Sequence, residues 1–226
     1  MSEAFLSKDV REELNRALAG VTQPVEAVVF GASSLVIPGA DQPGLHAETL
    51  ALLREVAEAS GKLTVTSKPL SDPEAQALGI TRSPTTLLRE AGGARTNIRF
   101  SGLPSGYEFG TLVETIRMLG TGESDLGERT REELNALKEP VTLQAFVTPT
   151  CPYCPRAVLA GFKLAFHNPL VTAEGIEANE FPAISAQYNI SGVPDTIITG
   201  QQQRRVLGGQ PDHVFLKEAL LAAGAA

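Results

Sequence analysis

The chain has 226 residues, a net charge of −7 and 42% hydrophobic residues, enough for one large domain or two small ones with a buried core. The acidic balance argues against a nucleic-acid backbone or an anionic membrane as main partner. No apolar run is long enough to cross a bilayer, and the first residues lack the pattern of a secretion signal. We therefore predict a cytoplasmic protein that binds neither nucleic acid nor membrane.

The first half of the chain predicts the order helix, strand, helix, strand, helix, strand, strand, helix. Apolar residues at helical spacing mark the helices, and short apolar runs between glycine or proline signals mark the strands. The predicted ranges are Ser7–Ala19, Val25–Phe30, Leu45–Ala59, Leu63–Thr66, Pro73–Leu78, Thr85–Arg89, Thr96–Phe100 and Tyr107–Leu119.

The second half repeats the first. "VREELNRALAGVTQPVEAVVF" from residue 10 matches "TREELNALKEPVTLQAFV" from residue 130, and "ALGITRSPTTLL" from residue 77 matches "QYNISGVPDTII" from residue 187. The predicted ranges are Arg131–Lys138, Val141–Val147, Pro152–His167, Leu170–Ile176, Glu180–Tyr188, Thr196–Thr199, Arg204–Leu207 and Pro211–Ala222. The polar, glycine-rich stretch 120–128 predicts a linker, so we expect two domains, 1–120 and 121–226.

The order of elements predicts the fold class. Strands that alternate with helices are expected to be parallel, whereas the last two strands of each half are joined by a short turn and should form an antiparallel hairpin. The sequence therefore predicts an α/β protein of two tandem thioredoxin-like folds, each a mixed β-sheet flanked by helices.

Both cysteines of the chain lie in "FVTPTCPYCPRAV", where a predicted strand runs into a predicted helix. With the helix beginning at Pro152, Cys151 lies at its N-terminus, where free N–H groups and the helix dipole stabilise a thiolate. Cys154 follows three residues later and should point inward. We expect Cys151 to attack a substrate disulfide and Cys154 to resolve the mixed disulfide.

A lone Cys-x-x-Cys has three other readings, which stay open at this point. It forms half of a zinc site if two of the scattered histidines, His46, His167 and His213, complete it. A second interpretation is a structural disulfide. Closing such a short loop would stabilise the folded protein by only about 2 kcal/mol in the chain-entropy model, and a cytoplasmic location disfavours such a bond. The third interpretation is that the two cysteines are unreactive residues of the hydrophobic core.

A proline stands before an equivalent strand in each half, in Ser83-Pro84 and in Val193-Pro194. A cis peptide bond suits such a tight turn, and an ordinary trans proline is the alternative. In a thioredoxin-like sheet, the strand after Pro194 neighbours the strand that leads to the cysteines. We therefore expect Pro194 to face the sulfurs.

With these motifs the chain resembles the protein disulfide oxidoreductases of thermophilic microbes, glutaredoxin-like proteins with two fused thioredoxin folds. By that resemblance Cys151 is the nucleophile, Cys154 resolves, and Pro152 and Tyr153 tune and shield the pair. Val193-Pro194 is then the loop whose backbone pairs with a bound peptide or thiol. The turn "GGQPD", 208–212, resembles the glutathione-binding turn of glutaredoxins, but it is also an ordinary hairpin-to-helix connection.

The sequence departs from that family pattern at two places. Many members carry two thiols in the first fold as well, but Leu35 and Pro38 stand at the matching positions here. The first half then serves in packing, partner docking or as scaffold alone. Thioredoxins keep a buried Asp six residues before the first cysteine, whereas this chain has Ala145. Glu177 or Glu180 is a candidate replacement, with a surface carboxylate as the competing reading.

The leading hypothesis is an enzyme, a thiol-disulfide oxidoreductase acting on protein disulfides and recycled by a flavin-dependent reductase of the thioredoxin-reductase type. Glutathione and a peroxidase are further candidate partners, and no bound cofactor or metal is expected. The N-terminal module of the flavoprotein that reduces alkyl hydroperoxide reductase is similar in plan, so a dedicated electron relay to one peroxidase is an alternative. A non-enzymatic redox-sensing or interaction module is another.

Overall fold

The computed structural model describes residues 5–31 and 43–224, which form eight helices and eight strands. The helices are α1 (Lys8–Ala17), α2 (Pro43–Ser60), α3 (Pro73–Ala77), α4 (Tyr107–Thr121), α5 (Glu128–Leu134), α6 (Cys154–His167), α7 (Pro182–Gln187) and α8 (Asp212–Ala222). The strands are β1 (Val25–Gly31), β2 (Leu63–Pro69), β3 (Thr85–Glu90), β4 (Ile98–Ser101), β5 (Val141–Val147), β6 (Val171–Glu177), β7 (Asp195–Thr199) and β8 (Gln203–Leu207).

Contacts divide the described chain into two compact units. The first unit comprises the described residues of Met1–Thr96 with Ser101–Leu103 and Leu112–Glu123. The second unit comprises Asn97–Phe100, Pro104–Thr111 and the described residues of Ser124–Ala226. The first turn of α4 and most of β4 therefore belong to the second unit, although they precede the linker in sequence.

The first unit has the strand order β2-β1-β3. β1 pairs in parallel with β2 and antiparallel with β3, so that Val28 lies opposite Thr66 on one side and Leu87 on the other. Val28, Phe30 and Leu87 are fully buried and pack with Ala75 of α3 in one apolar cluster. Burial of these β-branched and aromatic side chains stabilises the strands.

The second unit has the strand order β6-β5-β7-β8, and residues 97–100 lie beside β6, where the Ala173 amide donates to the Asn97 carbonyl at 2.8 Å. β5 is parallel to β6 and antiparallel to β7. Helix α6 packs on one face of this sheet, because a Cβ on Gly161 would lie 3.3 Å from Ala173. Phe146 and Ile197 pack on the opposite face, in a cluster that includes residues of α7.

The mixed sheets and the predicted order of elements are confirmed, because each half has a parallel strand pair followed by an antiparallel strand. The predicted start of the cysteine-bearing helix is wrong. Helix α6 begins at Cys154, with Pro155 in its first turn, and Pro152 lies in the turn before it. A proline suits either place because its missing N–H is not needed in a turn or at the first helical position.

Two further predictions concern absences. Leu35 and Pro38, matched to the thiol positions of the first half, lie outside the described residues. In the ranges 5–31 and 43–224, no helix has the length and apolar character required to span a bilayer.

Candidate redox site

Cys151 and Cys154 form a disulfide, with their Cα atoms 5.5 Å apart. The Cys151 amide donates to the Thr148 carbonyl at 3.1 Å, and the Cys154 amide donates to the Cys151 carbonyl at 3.4 Å, so two successive turns lead from β5 into α6. Cys151 is 8% exposed and Cys154 is fully buried. The expectation that Cys154 points inward is confirmed, and Cys151 is the more exposed of the two cysteines.

The loop before the disulfide is held by the first turn of α4. The Tyr107 amide donates to the Pro149 carbonyl at 2.9 Å. Gly106, at φ +58°, lies so close to that carbonyl that a Cβ at this position would collide with it. Only glycine combines this backbone conformation with this close approach. Residues 104–111 therefore fix the backbone two residues before Cys151.

Val193-Pro194 is a cis peptide bond, as expected, and so is Ser83-Pro84 in the first unit. Asp195, the first residue of β7, lies opposite Phe146 near the end of β5. Pro194 therefore lies at the end of the sheet from which the cysteine loop leaves. Pro194 is buried, and Val193 packs on the cluster around Phe146.

The turn 208–212 lies against the cysteine loop. The Gly208 amide donates to the Pro194 carbonyl at 2.9 Å. A Cβ on Gly209 would lie 2.8 Å from the Tyr153 carbonyl, so the backbone of this turn lies too close to the cysteine loop for any residue other than glycine. Pro194 and Tyr153, which are far apart in sequence, are thus connected through two glycines. The same turn joins β8 to α8, so both sequence readings of "GGQPD" fit its position.

Large apolar side chains are exposed on these same segments. Tyr153 is 71% exposed, Leu207 63% and Tyr107 54%, and Pro152 is exposed beside Tyr153. Tyr153 lies between the cysteines, Leu207 precedes Gly208, and Tyr107 holds Pro149. Each of these side chains therefore stands on a segment that contacts the cysteine loop or the cis-proline loop.

Glu177 and Glu108 are two of the buried carboxyl groups of the second unit. Glu177 ends β6 opposite Val147, is 2% exposed, and accepts hydrogen bonds from the Asn179 side chain at 3.1 Å and from the Glu180 amide. Burial raises the pKa of Glu177, and the bonds from Glu180 and Asn179 oppose that rise. The surface reading is therefore wrong for Glu177, whereas Glu180 is partly exposed.

Glu108 is the buried acid that sequence reasoning missed. It is 1% exposed in the first turn of α4, next to Tyr107, and neither carboxyl oxygen makes a hydrogen bond of good geometry within the described part of the chain. Burial raises its pKa to about 7, and the nearby Thr111 hydroxyl offsets only part of that rise. A signal existed in the sequence, because Glu108 shares the helical stripe of Leu112 and Ile116, which are buried.

The zinc reading finds no support in the geometry. Within residues 5–31 and 43–224, no three His, Cys, Asp or Glu side chains are grouped as metal ligands. His167 bonds to Ser124 at 2.7 Å, and His46 lies near Ser67 in the first unit. The two sulfurs are joined to each other.

A mixed sheet, a cysteine pair before a helix and a cis-proline loop beside it define a redox protein of the thioredoxin class. The thioredoxin-domain family matches residues 141–221, which lie in the second half of the chain. The alkyl hydroperoxide reductase AhpF from Staphylococcus epidermidis is 29% identical over 88% of this chain. The chain spans about a third of that protein's length, 35%.

Among the solved structures that match nearly the whole chain are an AhpF domain and a protein disulfide oxidoreductase. The NTD_N/C domain of alkyl hydroperoxide reductase AhpF from Enterococcus faecalis superposes with a TM-score of 0.82 at 27% identity, covering 94% of this chain and 99% of that one. A protein disulfide oxidoreductase from Aeropyrum pernix superposes with a TM-score of 0.80 at 31% identity, covering 96% and 94%. This chain therefore belongs to the protein disulfide oxidoreductase family, which confirms the predicted family, the tandem thioredoxin folds and the class of oxidoreductase.

Proposed function

We propose that this protein reduces or exchanges disulfides of other proteins, with Cys151 as the nucleophile and Cys154 as the resolving thiol. The observation that carries the proposal is the pairing itself, in which the sulfur of a slightly exposed cysteine is bonded to that of a fully buried one. An external disulfide reaches Cys151 only, so the order of attack follows from burial. We place this activity in the cytoplasm, where a reducing thiol pair is kept reduced.

The reaction balances as two successive exchanges. The Cys151 thiolate attacks one sulfur of the substrate disulfide, the substrate S–S bond breaks, and one substrate thiolate leaves. The Cys154 thiolate then attacks the Cys151 sulfur, releases the second substrate thiolate and closes the intramolecular disulfide. Two electrons pass from the protein to the substrate, and a flavin-dependent reductase of the thioredoxin-reductase type restores the dithiol. The same steps reversed oxidise a dithiol.

Glu108 is our proposed proton acceptor for the buried thiol. Cys154 has to lose its proton before it attacks, and Ala145 cannot accept one. The oxygens of Glu177 accept bonds from Asn179 and Glu180. Those of Glu108 accept none of good geometry within the described residues, although the Thr111 hydroxyl is near, and the pKa of Glu108, about 7, suits proton exchange near neutral pH. Its helix turn also contacts the loop that carries Cys151, through Tyr107 and Pro149.

The surface around the disulfide supports a polypeptide substrate. Tyr107, Tyr153 and Leu207 offer exposed apolar area on segments that surround the cysteines, and Val193-Pro194 supplies backbone next to them. An extended chain satisfies its backbone groups on such a segment and places apolar side chains on its neighbours. Glutathione, which has one thiol and little apolar surface, is proposed as a secondary partner through the turn 208–212.

Residues 1–120 and 121–226 are the two domains we propose, with both thiols in the second. Glu108 precedes that boundary in sequence but belongs to the compact unit that holds the thiols. The first domain has Leu35 and Pro38 at the matching positions and provides support or partner docking. No bound cofactor is proposed for either domain.

Turnover of insulin disulfides tests the proposal, with wild type, Cys151→Ser and Cys154→Ser compared at equal concentration. Both variants should lose turnover, but only Cys154→Ser should accumulate a mixed disulfide with the substrate, visible by non-reducing electrophoresis and mass spectrometry. Each variant is the matched control for the other, because both replace one sulfur by oxygen and they differ only in which cysteine is changed. Full activity in Cys151→Ser, or a mixed disulfide on Cys154 in wild type, would contradict the assignment.

A dedicated electron relay to a peroxidase is the second candidate, favoured by the likeness to a domain of alkyl hydroperoxide reductase AhpF over nearly the whole length of that domain. In that case the reduced protein should reduce an oxidised two-cysteine peroxidase far faster than insulin or a glutathione mixed disulfide. Stopped-flow rates for the three oxidants, measured with the same reduced protein, distinguish the relay from the general reductase. Comparable rates for all three would leave the general reductase standing.

A further inference from the structure

An ion pair lies directly after the cis-proline loop. Asp195 follows Pro194, and its side chain is 1% exposed. Arg205, on the neighbouring strand β8, donates from Nε to Asp195 Oδ1 at 2.9 Å and from Nη2 to Oδ2. A buried carboxylate is costly unless it is paired, and the two-point contact with Arg205 offsets the cost of burying Asp195.

The same guanidinium also binds the start of the loop. Nη1 of Arg205 donates to the Tyr188 carbonyl at 3.4 Å, and Nη2 donates to the Asn189 carbonyl at 3.2 Å. Both carbonyls lie just past the end of α7, where a helix leaves oxygens without partners. One side chain therefore contacts residues 188, 189 and 195, at the two ends of the loop that contains Val193 and Pro194.

Backbone contacts complete the attachment of this loop to the final hairpin. The Gly208 amide, three residues after Arg205, donates to the Pro194 carbonyl at 2.9 Å. The Val193 side chain packs against the cluster around Phe146, whose ring meets the Tyr188 ring at a centroid distance of 5.9 Å. The loop is therefore fixed on one side by apolar packing and on the other by Arg205 and Gly208.

The first unit has a different arrangement at the equivalent place. Thr85 follows Pro84, and its hydroxyl donates to the Arg82 carbonyl at 2.9 Å and lies 2.8 Å from the Ser101 hydroxyl. A neutral hydroxyl thus occupies the position that a buried carboxylate takes beside the thiols. The first unit keeps the equivalent backbone bond, from the Gly102 amide to the Pro84 carbonyl at 2.9 Å, and the second unit adds the pair of Arg205 with the Asp195 carboxylate.

We propose that Arg205 is a positioning residue for substrate binding. Its guanidinium holds the 188–195 loop in one conformation, so that the Val193-Pro194 backbone is ordered before a disulfide-bearing polypeptide pairs with it. Ordering a loop in advance removes an entropy cost from binding. A planar group with five donors can serve a carboxylate and two carbonyls together, which a lysine ammonium cannot. This inference rests on the proposed function.

The adjacent arginine provides a matched control. Arg204 has the same side-chain exposure as Arg205, 38%, and also pairs with a carboxylate, Glu218 of α8, at 2.8 Å. Its ion pair ties β8 to the last helix and does not touch the 188–195 loop. Arg205→Lys and Arg204→Lys therefore make the same chemical change on the same strand, and both keep the positive charge.

Steady-state reduction of insulin by the full chain separates binding from chemistry. Arg205→Lys should raise KM about tenfold, the equivalent of one lost hydrogen bond to a charged group, with kcat changed by less than about twofold. The reduced Cys151 should be alkylated by iodoacetamide at the wild-type rate, because the thiol itself is untouched. Arg204→Lys should match wild type in all three measurements.

A double variant distinguishes loss of loop ordering from misfolding caused by an unpaired buried charge. Asp195→Asn with Arg205→Gln leaves no unpaired buried charge, and it should show the same rise in KM. Equal KM values for Arg205→Lys and Arg204→Lys, or a fall in kcat at constant KM, would overturn the inference while the proposed function stands. Failure of the wild type to reduce insulin, or any other protein disulfide, would overturn the proposed function and this inference with it.

Discussion

The two units share an order of elements but differ in the polar groups they bury. The second unit holds the disulfide, Glu177, Glu108 and the Asp195 carboxylate. The first unit places its main charge network at partly exposed positions, where Glu74 contacts Lys68 at 2.8 Å and Arg89 at 2.6 Å. The fold is therefore maintained by apolar positions common to both units, and among the described residues the buried carboxyl groups are concentrated in the unit that carries the thiols.

The largest expected effect tests the shared apolar positions. Phe30 in β1 and Phe146 in β5 are equivalent in the repeat and both fully buried. Phe30→Ala and Phe146→Ala should each lower the free energy of unfolding by about 3–5 kcal/mol, measured by urea denaturation. Only Phe146→Ala should also change the rate at which iodoacetamide alkylates Cys151, because Phe146 packs with Val193. An equal change in Phe30→Ala would show that the first unit controls the thiol.

The next effect concerns the buried acid. The pKa of Glu108 is about 7 in the folded protein, against 4.5 for the free group, so the folded state binds this proton more tightly. Its contribution is fully present below pH 4.5 and is lost as the pH rises through 7, a loss on the order of 3 kcal/mol. Glu108→Gln should therefore flatten the fall in unfolding free energy between pH 5 and 8, measured by urea denaturation.

Glu114→Gln, on the same helix, is the control for that measurement, because it leaves Glu108 in place and should keep the wild-type slope. The proposed proton transfer has its own readout in stopped-flow experiments. Release of substrate from the mixed disulfide should lose its pH dependence near 7 in Glu108→Gln and keep it in Glu177→Gln. The opposite result would assign the proton to Glu177.

The smallest effect concerns helix caps. In the first unit, Ser7 accepts from the Val10 amide at 3.3 Å and Asp72 from the Glu74 amide at 2.9 Å. None of the described helices α5 to α8 has a side-chain cap bond at its N-terminus. Gly127→Ser should therefore stabilise α5 by a few tenths of a kcal/mol in urea denaturation.

There is room for the new side chain, because the Thr130 hydroxyl is 4.0 Å from a Cβ built on Gly127. Gly122→Ser serves as the contrasting variant. It should lose stability, since Gly122 has φ +73°, a conformation that side chains disfavour. A gain from both substitutions would mean that serine stabilises this region for a reason other than capping.

Much of this molecule was predictable because local signals agree with the global fold. The order of elements followed from the duplication, and the reacting pair followed from the strand-to-helix junction around Cys151 and Cys154. The start of α6 was misplaced, because Pro152 suits a turn as well as a first helical residue. Helix boundaries depend on backbone hydrogen bonds that a proline does not specify by itself.

Other parts of the site depend on contacts between distant residues, which local patterns do not report. Arg205 binds Asp195, ten residues earlier, through a hairpin register that sequence spacing does not determine. Glu108 shares a helix stripe with the buried Leu112 and Ile116, but the contacts that bury its carboxyl come from residues distant in sequence. The sequence favours a surface carboxylate at Glu177 over a buried acid, yet Glu177 is buried opposite Val147.

The first turn of α4 has a practical consequence for anyone who divides this protein. A fragment beginning at residue 121 would carry both sulfurs and the cis-proline, but it would lack Glu108, the amide of Tyr107 that holds Pro149, and residues 97–100 beside β6. Cutting the chain at one peptide bond therefore leaves a thiol-bearing piece without its proposed base and its backbone support. The sulfurs and the acid have to be inherited, expressed and engineered together.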